Sequence, residues 1–224
     1  MLILAIDTSG RHGSVALCRG DADSCETLQL TKLEGGTYSA RLVPVIDAML
    51  RDRDLNMTDV DGFAIVSGPG SFTGLRVGLA TVKGLCEILR KPLVTVSMLE
   101  AVVLRRGPAE KNVTAVLDAG RGEVYVGDYE QLAQSAKLVR EYISRLAAFA
   151  DPHEAGELLT PDAAVADFLK ANGVDIRLVA PVQADEVGRI GLRKLLAGEV
   201  ADHASVDVNY IRRSDAEIFS APKR

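Results

Sequence analysis

The chain has 224 residues, 47% hydrophobic and 25% charged, which is ordinary globular composition and long enough to bury a core. Its net charge of −5 disfavours a protein that grips nucleic acid alone, since phosphate neutralisation needs clustered Lys and Arg. The basic pairs Arg105-Arg106 and Arg212-Arg213 are short and read as solvated surface. No apolar run approaches the ~18 residues that span a bilayer. The opening Met1 to Asp7 is too brief, and lacks the basic lead, for a signal peptide. The three cysteines, Cys18, Cys25 and Cys86, form no CxxC, which fits reduced thiols and a cytoplasmic protein.

In chain order, Leu2 to Ile6 reads as a strand buried on both faces. The polar turn Asp7 to Gly13 leads to a second strand, Ser14 to Cys18, in a hairpin, and Leu28 to Leu30 belongs to a third. Arg41 to Arg53 reads as a helix, with Pro44 placing its start close by. Leu42, Val43, Val45, Ile46, Met49 and Leu50 cover an arc of roughly 160°, wider than the ~100° that one core contact needs. Phe63 to Val66 is a buried strand that runs into the turn Ser67 to Gly74. A helix follows to about Leu89, apolar nearly all round, with small residues at Gly74, Gly78, Ala80, Thr81 and Gly84 that suit close packing. Leu93 to Val96 is another buried strand.

The second half repeats this plan. Val113 to Leu117 ends at Asp118, Ala119 to Gly122 is a turn, and Val124 to Tyr129 returns. Thr160-Pro161-Asp162 reads as a helix start with Thr160 as cap, and Asn172-Gly173 as its end. Asp185 to Ala197 is a further helix, closed by Gly198. Two halves that each open with strand, Asp, Gly-containing turn and strand suggest a duplicated α/β lobe. The division is expected near 100, between Ser97 and Lys111, giving lobes 1–100 and 101–224, with the option that the last helix packs back on the first lobe.

Four residues are candidates for cofactor binding: Asp7, Thr8, Ser9 and Asp118. A turn such as Asp7 to Gly10 can cradle a phosphate, or can be a hairpin turn capped by its own Asp and Thr. Gly68 to Gly74 lies between strand and helix, where anions bind well, but a Walker loop needs Gly-Lys before Ser or Thr and here Leu75-Arg76 follows. A tight strand-to-helix turn is the other reading. His12, His153 and His203 lie far apart with no partner at ligand spacing, and no serine sits in a GxSxG elbow.

These segments together resemble the TsaB family, also called YeaZ. The resemblance rests on Ala5 to Ser9, on Ser67 to Leu79, on Asp118 to Tyr125 and on Tyr210-Ile211-Arg212. It implies a two-lobed, actin-like, sugar-kinase-like α/β fold. It also implies a paralogue of TsaD, the transferase that places threonylcarbamoyl on the adenosine beside the tRNA anticodon. Members of the family are inert partners of TsaD, joined by the ATPase TsaE. On this reading the isolated chain holds no cofactor, and ATP is used by the assembled complex. It reaches tRNA only through the complex, touches no membrane, and pairs with itself when alone. TsaD carries a His-x-x-x-His metal pair where this chain has Met98 and Val102, and Val is no ligand. Where many relatives have His, this chain has Tyr38. The resemblance and the wide apolar arc point to a partner interface on the first two helices, through Leu42, Val45, Ile46, Met49, Leu75, Gly78, Leu79 and Val82; the other reading is that the extra apolar residues face the second lobe. The competing functions are a small-molecule kinase of the same superfamily and, less favoured, a peptidase.

Overall fold

The structure is a computed structural model that describes residues 1–21, 24–149, 156–202, 205–209 and 211, with only the backbone described at 109 and 110. His153, His203, Tyr210 and Arg212 of the sequence reading lie outside the described residues. The described residues divide into two compact units, 1–101 with 182–208, and 102–181 with 209 and 211.

The first unit is built on a five-stranded sheet of order β3-β2-β1-β4-β5. Its strands are β1 (Leu2–Asp7), β2 (His12–Gly20), β3 (Cys25–Glu34), β4 (Gly62–Gly68) and β5 (Leu93–Ser97). β1, β2 and β3 form an antiparallel meander, and β4 and β5 add parallel to β1. Helix α1 (Tyr38–Arg51) packs on β2 and β3, and α2 (Phe72–Leu89) on β1, β4 and β5. Helix α3 (Met98–Arg105) follows β5. Every residue of β1 is buried because the sheet is covered twice. Helix α6 (Ala184–Leu196) lies on it as well, with Gly188 against Ala5 and Cys18, and Gly191 against Ile3, Ala64 and Val94. Ile65, one residue on from Ala64 and so on the opposite face, packs instead near Gly78 of α2.

The second unit has the same plan, a sheet of order β10-β9-β6-β7-β8. Here β6 (Ala109–Gly120), β7 (Glu123–Ala133) and β8 (Ser135–Arg145) form the meander, and β9 (Glu157–Thr160) and β10 (Arg177–Leu178) add parallel to β6. The one-turn helix α4 (Leu146–Phe149) and α5 (Ala163–Ala171) complete it. Val116, Val124, Val126, Phe149, Leu158, Val165, Leu169 and Ile176 form its core. The duplication read from the sequence is therefore a duplication of topology.

Three expectations change. Helix α1 begins at Tyr38 rather than Arg41, so Pro44 lies inside it and not in the first turn. Proline there removes one helical hydrogen bond. The start is held from outside the helix, by the Tyr38 hydroxyl donating to Gly10 O at 2.7 Å. Thr160 does not cap α5: it ends β9, fully buried, and Asp162 holds the cap position. The Thr160 hydroxyl instead accepts the Asp162 N–H at 3.1 Å. Strand β8 had no counterpart in the reading. It is a sheet edge, exposed over much of its length, so its sequence carries little apolar alternation.

Candidate functional site

Strand β1 delivers Asp7, Thr8 and Ser9 to the tight connection into β2, and all three are buried. The Ser9 N–H and hydroxyl both donate to Asp7 Oδ1, at 2.8 and 2.6 Å. This is an Asx turn, in which the side chain satisfies its own backbone two residues on. Burial raises the Asp7 pKa above its ordinary value, and the two Ser9 hydrogen bonds oppose that rise.

The segment from Ser67 to Gly74 closes over this turn as a close-packed strand-to-helix connection. The Ser71 N–H donates to Ser9 O at 2.6 Å. Ser71 caps α2 by accepting the Gly74 N–H at 3.3 Å. The glycines are there for clearance. A Cβ on Gly70 would strike Ser9 O, one on Gly74 would strike Thr8 O, and one on Gly78 would strike Thr8 Oγ1. The start of α2, where a phosphate would dock on a Walker-type loop, is thus packed against the backbone of Thr8 and Ser9. Arg76 stands over the Phe72 ring, 3.7 Å from its centre. Thr8 Oγ1 is buried and has no hydrogen-bond partner among the described residues, the cost of fitting it under Gly78.

Tyr38, at a position where the resemblance implies His, is part of this assembly. It is buried, its ring lies against Gly13, and its hydroxyl bonds Gly10 O. Burial first and the Asp7 charge second push its pKa up to about 12, so the phenol stays protonated as a donor. A residue read only as a departure therefore ties α1 to the β1–β2 turn. Only its place before Ser39 signalled it in the sequence.

Asp118 stands in the second unit, at the equivalent turn. Its Oδ1 accepts the Gly120 N–H at 2.9 Å, matching the Asp7 to Ser9 bond, and Arg121 and Gly122 turn the hairpin with φ of 59° and 74°. Its own N–H donates to Asp162 Oδ2 at 2.8 Å. Burial raises the Asp162 pKa, the Asp118 N–H lowers it, and the Asp118 charge raises it again. Asp162 was not on the candidate list, because only folding brings β6 and the start of α5 together. Of the candidates, Asp7, Thr8 and Ser9 share one turn and Asp118 heads another. Among the described residues no three of His, Cys, Asp and Glu gather in a group that could hold a metal ion. Met98 and Val102 are buried on α3.

The proposed interface residues need correction. Leu42, Ile46, Met49, Leu75, Gly78, Leu79 and Val82 are all buried within the chain itself, and Val45 is half-buried. Apart from Val45, they form the core contact between α1, α2 and the sheet and present no free surface. The exposed faces of the same helices carry Ala40, Val43, Pro44 and Ala48 on α1, and Phe72, Ala80, Gly84 and Ile88 on α2. Val43 is 53% and Ile88 80% exposed.

A model of the family "TsaD: tRNA N6-adenosine threonylcarbamoyltransferase" matches residues 35–216. The tRNA threonylcarbamoyladenosine biosynthesis protein TsaB of Bacillus subtilis is 35% identical over 130 residues, 58% of this chain and 56% of that one. The chain spans about half the length of the curated relatives it matches. The solved YeaZ of Pseudomonas aeruginosa superimposes with a TM-score of 0.73 at 26% identity, over 94% of this chain and 100% of that one. An activator of 2-hydroxyisocaproyl-CoA dehydratase from Clostridium difficile does so with a TM-score of 0.51 at 8% identity, over 90% and 99%, a likeness of fold alone. The architecture is the α/β, actin-like one, with a duplicated 3-2-1-4-5 sheet. The chain belongs to the tRNA N6-adenosine threonylcarbamoyltransferase (TsaD) family, on its TsaB (YeaZ) branch.

Proposed function

We propose that this chain is a non-catalytic partner subunit that binds and supports a TsaD-type transferase in forming threonylcarbamoyladenosine on tRNA. One observation carries the reading: the turn at the end of β1 is closed on itself. Asp7 is buried with Ser9 bonded to it, and Gly70, Gly74 and Gly78 let α2 pack directly onto that backbone. A kinase of this architecture would need that turn open to phosphate. In the proposed assembly a TsaE-like ATPase joins the pair, ATP is consumed by the complex, and tRNA is met through it. The chain alone forms a homodimer and works in the cytoplasm. No helix among the described residues is long and apolar enough to cross a membrane.

The partner surface is the outer face of α1 and α2. Ala40, Val43, Pro44, Ala80 and Gly84 are exposed there, and small residues allow a second pair of helices to approach closely. A two-fold pairing of this face makes the homodimer, and a structurally similar transferase replaces one copy. The test is co-purification with a TsaD-type protein, and threonylcarbamoyl transfer by that protein with and without this chain. Binding and stimulation are expected from the parent, with neither from a folded Val43→Glu/Ala80→Glu variant. ATP turnover by the isolated chain, growing with its concentration and lost in Asp7→Asn, would instead establish the kinase reading.

A further inference from the structure

We propose that a cavity in the second unit is a binding site for a small carboxylate with an apolar body, in which Arg140 of β8 takes the carboxylate and Val139 and Phe149 take the body.

The cavity measures about 300 Å³ and is lined from β6, β7, β8 and α4. That is the lower end of the range, roughly 300–1,000 Å³, of pockets that hold small molecules. Its position follows from strand register. Val116, Val126 and Tyr142 stand opposite one another across β6, β7 and β8, and Thr114, Asp128 and Arg140 form the row two residues away. Residues two apart share a face, so both rows belong to the face that carries the unit's core. The first row packs with Phe149 in that core. The second row is polar, and there the cavity opens. A carboxylate and a guanidinium on a core face break the apolar pattern, and such breaks gather at functional sites.

A bulge shapes the opening. Asp128 pairs with Arg140 and Tyr129 with Leu138, which leaves Val139 as an extra residue in β8. Bulges re-aim side chains and recur beside active sites. Here Val139 and Arg140, neighbours in sequence, both line the cavity, which regular alternation would forbid. Val139 is 64% exposed, an apolar wall open to an incoming molecule.

The polar groups are held in place and only partly used. Thr114 Oγ1 donates to Asp128 Oδ1 at 2.6 Å, and Arg140 Nε donates to Asp128 Oδ2. The Arg140 guanidinium also lies over the Tyr142 ring, 4.9 Å from its centre. These two contacts orient the guanidinium through its Nε edge and one face. Its terminal nitrogens, and the side-chain amide of Asn112 on the cavity wall, have no hydrogen-bond partner among the described residues. Two terminal N–H groups of one guanidinium match the two oxygens of a carboxylate. Asp128 and Arg140 are the charged residues of the lining, and their charges cancel. A singly charged carboxylate therefore suits the site better than a doubly charged phosphate, which Asp128 would repel more strongly. Val139, Tyr142 and Phe149 favour a ligand whose remainder is apolar.

The experiment titrates the full chain with phenylacetate, neutral phenylacetamide and phenyl phosphate. Two-dimensional NMR of the isotope-labelled protein locates each compound, and calorimetry gives its Kd. Saturable binding of phenylacetate is expected, with the largest shifts at Thr114, Asp128, Val139 and Arg140. The amide should bind about tenfold more weakly or worse, the loss of one charge-assisted contact. Arg140→Gln should bring phenylacetate down to the level of the amide. That variant also leaves Asp128 without its ion-pair partner, so a second one is needed. Val139→Trp fills the cavity from its exposed side, keeps the ion pair, and should abolish binding of both compounds. Circular dichroism checks the folding of each variant. Shifts that do not saturate or that cluster elsewhere would overturn the proposal. So would equal binding of acid and amide, unchanged binding by folded Val139→Trp, or tighter binding of phenyl phosphate.

Discussion

Three glycines of α2 separate packing from propensity. Gly78 has Thr8 Oγ1 and Ile65 where a Cβ would go, and Gly74 has the Thr8 carbonyl, whereas Gly84 has nothing within 4 Å. Gly78→Ala is expected to destabilise the fold by about 1–3 kcal/mol through overpacking. Gly84→Ala should stabilise it by about 0.5–1 kcal/mol, because alanine loses less backbone freedom in a helix. Denaturant titration of both variants checks the pair, and equal effects would contradict the contacts described. Asp7 gives a pH signature. Its folded pKa lies above its ordinary 3.8, with burial as the main cause. Below 3.8 the carboxyl is protonated in both states and contributes no difference. As pH rises through the folded value, ionisation costs the native state more than the unfolded chain, so stability falls. The stability difference between Asp7→Asn and the parent should therefore move in favour of Asn as pH rises from acid to neutral. Denaturation midpoints at the two pH values measure it. That Asp7 ends a strand in a capped turn was legible from its spacing. That it is sealed by Gly70 and Tyr38 was not, because both arrive from distant elements.

Helix α1 shows how far periodicity carries an argument. The apolar arc correctly marks a helix with more than one apolar contact, but it does not say which part of the arc meets the core. The sheet and α2 take Leu42, Ile46, Met49 and Leu50, and leave Val43 outside. Met49→Glu is thus expected to unfold the protein, since a carboxylate buried without a partner costs on the order of several kcal/mol. Val43→Glu should keep stability within about 0.5 kcal/mol of the parent and, on the proposed pairing, break self-association through this face. Thermal melts and sedimentation of the two variants distinguish these outcomes. A folded Met49→Glu would mean that the α1 core contact is misplaced. Helix α6 argues similarly: Gly188 and Gly191 let it settle on a sheet from which it is separated by the whole second unit in sequence.

For the whole molecule, charge makes the prediction. A chain of net −5 has little means of displacing counterions from tRNA. Binding of bare tRNA by the isolated protein should be weak, in the non-specific range of about 10⁻⁴–10⁻⁶ M at physiological salt, and should fall steeply as salt rises. Filter binding across a salt series tests this, and tight, salt-insensitive binding would remove the partner-only role. The two sheets share one strand order, yet the units differ in their margins. β8 is an exposed edge, whereas α1 packs on β3, the equivalent edge of the first sheet.

The sequence by itself determined the α/β class, the duplicated strand–Asp–turn–strand plan, the buried strands and the family. Each of these is written in local apolar runs, in turn residues at fixed offsets, or in a contiguous motif such as Ser67 to Leu79. Only the tertiary structure decided which apolar residues of α1 and α2 are core and which are surface. It alone placed Tyr38 on the Asp7 turn and Asp162 beside Asp118. The physical reason is that a helix stripe or a polar side chain records what it needs to contact. Its partner, supplied from far along the chain, is chosen by how the elements pack.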